Sequence, residues 1–340
     1  MAKRLSGKDN RAVGIDIGSY SVKAAVMDGF REEPFLEAYN IRKISSGGEK
    51  PDIAKEVKVT LEEIDIKPNS VNLSVFGPEV IVRFITLPKM TKEQLDAALI
   101  FEAEKYIPFN IREVVLDSIV LGDAQDQGQM KVLLAAVKKG YIESLSGIFS
   151  DLGIQVNFVD VTAFAGFNAF MASSQGSSEK VVALLEIGHS QTTLLISIDG
   201  TPFFVRQIHM GGRDIDLLVA KTLSVTAEKA SEYKKGEGDF DREIVNTCVR
   251  KVLDGIIREL QLSFGYFEGT CNRHIQGIYC SGGMTYTPGV LEYLSEKIGS
   301  DIKKWNPLRG MKISDNLSRQ DLDSVSSSLA VSVGLAIRGG

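Results

Sequence analysis

The sequence predicts a duplicated α/β fold, two domains facing each other across a ligand cleft, with a small α+β module inserted into the first. Three observations predict it. A short segment occurs twice, about half of the 340-residue chain apart: Gly14-Ile-Asp-Ile-Gly-Ser-Tyr-Ser-Val-Lys23 and Leu184-Leu-Glu-Ile-Gly-His-Ser-Gln-Thr-Thr193. Each copy reads as an apolar run, a carboxylate, an apolar residue, a glycine, a small polar tip and a second apolar run, so Asp16 matches Glu186 and Gly18 matches Gly188. A strand-helix-strand-strand-helix pattern over residues 80–158 interrupts the first half. Finally, a hydrophobic content of 44% over this length is enough for two cores of ordinary size.

Each copy has the Val, Ile, Leu and Thr composition of paired strands around a turn, hence a β-hairpin. Gly18 and Gly188 allow backbone N–H groups to approach a ligand closely, and the hydroxyls of Ser19, Ser21, Thr192 and Thr193 can donate to phosphate oxygens. Two such tips facing each other would clamp a polyphosphate, with Asp16 and Glu186 placed to hold its metal.

After the first hairpin, a polar stretch with Ser45-Ser-Gly-Gly48 leads to a helix around Asp52 to Ile64 and a strand at Val71 to Phe76. The inserted module begins with the alternating Val80 to Leu87, closed by Pro88. Thr91-Lys-Glu-Gln94 then has capping-box spacing. The helix it opens is expected to run from about Lys92 to Tyr106, with Leu95, Leu99, Ala103 and Tyr106 on its core face and Pro108 barring continuation. Strands follow at Val114 to Leu121 and Lys131 to Val137, joined by the loop Gly122 to Gly128. A helix with Tyr141, Leu145, Ile148, Phe149 and Leu152 stops at Gly153, a helix-terminating glycine. Residues 154–170 return to the main fold as a strand and an apolar helix, and Ala172 to Ser178 connects the halves. Beyond the second hairpin, Phe203 to Ile208 is a third strand, Gly211-Gly212 opens a helix, and Val252, Ile256, Leu260, Phe264 and Phe267 mark a long amphipathic one. Ile275 to Cys280 is a buried-type strand ending at Ser281-Gly-Gly283, with a helix from about Thr287 to Ile298 and a final small-residue helix from Leu329 to Ile337.

The domain boundaries follow: a disordered basic tail at 1–10, a first domain at 11–79 and 159–178, the module at 80–158, and a second domain at 179–340 with a helical subdomain at about 211–272. The net charge of −5, without basic clusters interleaved with aromatics, argues against a nucleic-acid binder. Three cysteines (Cys248, Cys271, Cys280) without C-x-x-C spacing indicate reduced thiols in the cytoplasm, and three scattered histidines offer no transition-metal site. Met1 to Arg11 has no apolar stretch behind it and does not read as a signal peptide; no run of about 18 apolar residues predicts a membrane span.

Both hairpins, the Gly282-Gly283 pair after the late strand and the small-residue final helix, in this order, resemble the actin-like (ribonuclease H-like) ATPase superfamily. Within it the chain is similar to PilM, the family of cytoplasmic actin-like proteins of type IV pilus assembly. The residues that carry this are Val13 to Lys23, Phe101-Glu-Ala-Glu-Lys-Tyr-Ile-Pro-Phe109, Leu134-Ala-Ala-Val-Lys138, the approach from Arg206 to Gly212, and Tyr279-Cys-Ser-Gly-Gly-Met284. The likeness spans residues 11–338.

The resemblance implies ATP and Mg²⁺ as cofactors. Asp16 would hold the metal through water, and Gly18, Ser19, Ser21 and Lys23 would contact phosphates. Gly188, His189 and Gln191 would form the second phosphate loop, Gly212 would stand at the nucleotide, and Gly282 and Gly283 would admit the adenosine. The family's ribose and adenine helix matches Ala230-Ser-Glu-Tyr-Lys234, with Lys234 as the contact and Glu228 or Glu232 as alternative carboxylate partners. Asp16 and Glu186 are the catalytic candidates, yet Glu186 stands where the superfamily usually has Asp. A longer side chain shifts the metal end of the site, and turnover tolerates misplacement less well than binding, which implies at most a slow ATPase. The implied role is a nucleotide-linked scaffold for twitching motility that binds the cytoplasmic N-terminal tail of PilN between the first domain and the inserted module. It would meet other pilus inner-membrane and motor proteins and sit peripherally at the inner membrane through them; a type II secretion counterpart of the partner fits equally. Two alternatives belong to other classes. A small-molecule kinase of the same fold would need a base, for which Asp160 is the candidate. A filament-forming division protein similar to FtsA would need a membrane-binding amphipathic helix after Arg338-Gly-Gly340, where none is read.

Overall fold

The first hairpin is β1 (Arg11–Ile17) and β2 (Ser21–Asp28), antiparallel, with Asp16 opposite Lys23. The computed structural model describes residues 11–28, 34–44, 50–124, 128–173 and 178–338. The expected tail, the Ser45–Gly48 stretch, the middle of the 122–128 loop and most of the connector between the halves lie outside these residues. A strand absent from the sequence reading follows, β3 (Phe35–Lys43), antiparallel to β2. Its alternation is blurred because most of its side chains are only half-buried. Then come α1 (Lys50–Glu63) and β4 (Ser70–Val75), parallel to β1.

The inserted sheet is formed by β5 (Val80–Pro88), β6 (Val114–Asp123) and β7 (Gln129–Lys138), in the order β5-β7-β6, with α2 (Lys92–Ala103) between the first two. The capping box is present: the Gln94 N–H donates to Thr91 Oγ1 at 3.3 Å and the Thr91 N–H to Gln94 Oε1 at 2.8 Å. Leu95 and Ala103 are buried as expected. The helix, however, ends three residues before Tyr106, whose ring is exposed rather than in the core. The next helix, α3 (Lys139–Ser150), also departs from expectation: Ile148 and Phe149 pack with Val13 and Ile15, so the end of α3 covers the first sheet. The main fold resumes with β8 (Gln155–Val161), parallel to β4, and α4 (Thr162–Ala172).

The second half repeats the plan with β9 (Val181–Ile187), β10 (Thr192–Ile198) and β11 (Thr201–Ile208), followed by α5 (Gly212–Leu223), α6 (Ala227–Lys234) and α7 (Arg242–Cys271). It continues through β12 (Gly277–Ser281), a 3-10 turn at Gly283–Tyr286, α8 (Val290–Ile298) and β13 (Ile302–Lys304). Its sheet order, β11-β10-β9-β12-β13, is that of the first sheet, β3-β2-β1-β4-β8, element for element. The chain closes with β14 (Lys312–Ile313), α9 (Arg319–Val325) and α10 (Ala330–Arg338).

This last segment corrects the expectation that residues 179–340 form one domain. β14 pairs with β3 at the edge of the first sheet, and α10 packs on β1, β2 and α4. The small-residue composition of α10 explains the fit. A Cβ at Gly334 would meet the Ala165 carbonyl oxygen at 1.7 Å, and one at Gly14 would meet that of Ser332 at 2.1 Å. Asn72 Nδ2 donates to the Leu335 carbonyl at 3.0 Å and ties the helix to β4. A hydrophobic cluster with Phe167 and Phe170 of α4, Leu184, Tyr279 and Trp305 of the second half, and Val333 of α10 joins the halves. The duplicated hairpins are therefore held in fixed relation by a buried spine.

Candidate functional site

Both hairpins close by the same bond. The Gly18 N–H donates to the Ser21 carbonyl at 3.0 Å, and the Gly188 N–H to that of Gln191 at 2.9 Å. A Cβ would stand 3.2 Å from the Ser21 carbonyl oxygen in one turn and 3.1 Å from that of Gln191 in the other, so glycine is what permits these tight closures. Register then places the chemistry. Asp16 is opposite Lys23, and Glu186 is opposite Thr193, so the two copies differ by one cation.

Lys23 Nζ donates to Asp16 Oδ2 at 2.7 Å, and the Ser74 hydroxyl donates to Asp16 Oδ1 at 3.1 Å. Burial works against the Lys23 ammonium, but Asp16 and the charge of Glu186 outweigh it and the net shift is upward. Among the described residues Glu186 has no ion-pair partner of its own. Burial and the neighbouring Asp16 charge push its carboxyl from 4.5 up to about 7, with Lys23 opposing. A carboxyl raised in the native state holds its proton longer than in the unfolded chain. Its contribution to stability is full below pH 4.5 and is lost as pH rises through about 7. Glu186→Gln is expected to flatten this decline, which approaches ~1 kcal/mol per pH unit at its steepest. Chemical denaturation of both forms at a series of pH values checks it; parallel pH profiles would refute it.

The double glycine seats the second tip. The Gly212 N–H donates to the Gly188 carbonyl at 3.0 Å and the Arg213 N–H to that of His189 at 2.7 Å. Lys234 Nζ donates to the Gly212 carbonyl at 3.1 Å and lies 2.6 Å from Asp216 Oδ1, at ion-pair distance but without hydrogen-bond geometry. Burial lowers Lys234 despite Asp216, and burial raises Asp216 despite Lys234. His189 is pushed down to about 4 by burial and by Lys234 and Arg213, so it is neutral near pH 7 and does not form a charged pair with Asp216, 3.8 Å away. Gly282 has φ +94°, and a Cβ there would meet the Ile187 carbonyl oxygen at 2.5 Å.

These elements converge on one cleft of about 590 Å³ between the two halves. It is lined by Asp16, Gly18, Ser19, Ser21 and Lys23 from the first hairpin and by Glu186, Gly188, His189 and Gln191 from the second. Gly212, Lys234, Gly282 and Gly283 complete it; of the hydroxyls read as phosphate donors Thr192 stays out, buried and donating to the Met210 carbonyl at 2.9 Å. The expected ribose carboxylates are not part of it. Glu228 lies exposed in the first turn of α6, and Glu232 bonds Lys229 at 2.8 Å on the exposed face; Ser231 and Glu237 line the cleft instead. Asp160, the base a kinase would need, is engaged by Arg338 and the Val161 N–H and does not line the cleft. Sequence reasoning missed Tyr20, Lys43, Asp216 and Lys235. Asp216 had a signal, one helical turn beyond the double glycine; Lys43 had none, because β3 was not recognised as a strand.

Among the described residues no cluster of three metal-ligating side chains occurs. Mg²⁺ needs none, since it keeps most of its water and is held by one or two carboxylates together with phosphate oxygens. Asp16 and Glu186 at the cleft fit that donor set.

Compared with known proteins, the chain matches over residues 14–340 the family described as type IV pilus assembly protein PilM. It is similar to the solved PilM-PilN type IV pilus biogenesis complex, with 26% identity, a TM-score of 0.86, and coverage of 96% of this chain and 98% of that one. MreB5 of Spiroplasma citri bound to AMPPNP matches at 14% identity and TM-score 0.53, covering 96% of this chain and 95% of that one. The ethanolamine utilization protein EutJ from Carboxydothermus hydrogenoformans matches at 13% and 0.50, with 98% and 91% covered. The two distant likenesses share the fold, which is the actin-like ATPase fold.

Proposed function

Because this chain belongs to the PilM family of type IV pilus assembly proteins, we propose that it is an actin-like scaffold that binds ATP with Mg²⁺ between its halves and engages the cytoplasmic tail of a PilN-type membrane protein. One observation carries the nucleotide part: two copies of one hairpin, each closed at its glycine, bring their tips to a single cleft with Asp16, Lys23 and Glu186 inside it. Such tips suit a phosphate chain, and the carboxylates suit its metal. The solved MreB5 relative is bound to AMPPNP, which supports the same reading. Lys23, balanced by Asp16, would meet phosphate oxygens, and Lys234 would approach from α6. The mismatch between the copies, Lys23 against Thr193, gives an asymmetric clamp suited to holding nucleotide more than to turning it over. Calorimetric titration with ATP and Mg²⁺ is the test: saturable binding supports the proposal, and no heat at millimolar ligand overturns it.

The partner part is supported by the likeness to a PilM-PilN complex and by a surface on the inserted module. On α2, Ile100 and Phe101 are 52% and 71% exposed, with Tyr106 just beyond the helix end. Exposed apolar groups gathered on one small module mark an interaction site more often than chance exposure does. Among the described residues no helix is long and apolar enough to cross a membrane, so recruitment through a membrane partner is consistent with the chain. Phe101→Asp is expected to weaken binding of a PilN tail peptide at least tenfold, read by fluorescence anisotropy, while leaving ATP binding unchanged. Unaltered peptide affinity would place the docking surface elsewhere.

A further inference from the structure

Tyr20, at the tip of the first hairpin, turns its ring across the cleft to His189 at the tip of the second, with ring centroids 4.9 Å apart. Two ammonium groups gather at that ring: Lys43, the last residue of β3, at 5.2 Å from its centroid, and Lys235, just beyond α6, at 5.8 Å. One belongs to each half, and both line the cleft. The other two cleft lysines are committed, Lys23 to Asp16 and Lys234 to Asp216. Among the described residues neither Lys43 nor Lys235 forms an ion pair with a carboxylate, and both are exposed.

Like charges gathered at one aromatic ring repel each other, and the ring offsets this only in part. Asp216 feels the charge of both and Glu228 that of Lys43, but neither carboxylate is in ion-pair contact with them, so both ammonium groups can still take the negative charge of a ligand. Tyr20 itself reports the local potential: burial pushes its phenol up, but the Ser231 hydrogen bond and the charges of Lys235 and Lys43 outweigh it and the net shift is downward. Because Tyr20 lies inside the Gly18–Ser21 turn, phosphate held at the tips lies beside both ammonium groups, well within a screening length.

We infer that Lys43 and Lys235, gathered on Tyr20, form a charge reader across the cleft that favours nucleoside triphosphate over diphosphate. This rests on the nucleotide reading above and adds a selectivity to it. A triphosphate carries about one more negative charge than a diphosphate, and that charge interacts with cations from both halves at once. Removing either cation costs triphosphate binding more than diphosphate binding.

The test measures affinities of the full chain for ATP and for ADP, each with Mg²⁺, at low and high salt. Wild type is compared with Lys43→Ala, Lys235→Ala, the double variant, and Lys43→Arg with Lys235→Arg. The ratio of ATP to ADP affinity is expected to fall roughly two- to threefold in each single alanine variant and five- to tenfold in the double, values ordinary for partly exposed charge pairs. The arginine pair restores the ratio, and high salt compresses it in wild type more than in the double variant. Because both side chains are exposed, the variants retain the fold, which circular dichroism verifies. A double-variant ratio within twofold of wild type, with both nucleotides bound by wild type, overturns the charge reader and leaves the nucleotide site standing. Binding of neither nucleotide by wild type overturns both.

Discussion

Gly334→Ala is expected to lower the melting temperature by about 10 °C and to be the most damaging glycine-to-alanine change among the described residues. The added Cβ would lie 1.7 Å from the Ala165 carbonyl oxygen. That atom is helix backbone in α4, which cannot rotate aside as a side chain would. Overpacking of a close contact costs ~1–3 kcal/mol and more where backbone must move, against a total stability of ~5–15 kcal/mol. The contact also lies in the spine that holds the two halves together, so both hairpins lose their common support. Gly166, in α4 itself, provides the control, since a Cβ there has nothing within 4 Å. Gly166→Ala is expected to be neutral or stabilising by up to ~1 kcal/mol through helix propensity. Thermal melts of the two variants side by side decide the matter: equal melting temperatures would mean that α10 and α4 do not pack as described.

The second large effect falls on ligand binding. Asp16→Asn is expected to remove most of the Mg²⁺-dependent gain in ATP affinity, a loss of roughly ten- to hundredfold, as when a carboxylate acting through a metal-bound water is replaced. Asparagine preserves the volume and can still accept from Ser74, so the β1–β2–β4 junction is retained. The loss would come from charge: an amide attracts the cation less, and Lys23 is released from its 2.7 Å partner. Affinity is measured with Mg²⁺ and with the metal chelated. In wild type the two values differ; in the variant they converge. Undiminished Mg²⁺-dependent binding would remove Asp16 from the metal site.

Legibility of the chain followed the range of the interactions involved. The hairpins, the Thr91 cap and most strands were readable because each depends on residues within a few positions of one another. β3 was not, since half-buried strand residues such as Glu37, Asn40 and Arg42 show little apolar alternation. Tyr106 was misjudged because helical spacing continued in the sequence after the backbone had left the helix at Ala103. For the site, matching two copies of one motif found residues on both sides of the cleft. The choice between Glu228 and Glu232 was not legible, because the turn of α6 that faces the cleft presents Ser231 and Lys234, which are buried, and leaves both glutamates on the outer face.

By itself, then, the sequence determined the duplicated hairpins, the glycines that close their tips and the identity of the groups they carry, all consequences of local chain geometry and side-chain chemistry. Tertiary structure decided what those groups do to one another: that Asp16 takes Lys23 as its ion-pair partner while Glu186 feels Lys23 only from a distance and its carboxyl is pushed up to about 7. It also decided that Lys43 and Lys235 meet on Tyr20, and that the last helix returns to the first sheet instead of completing the second. The physical reason is common to all three. Burial, ion pairing and close backbone contact depend on distances between segments far apart in the chain, and local pattern holds no record of those distances.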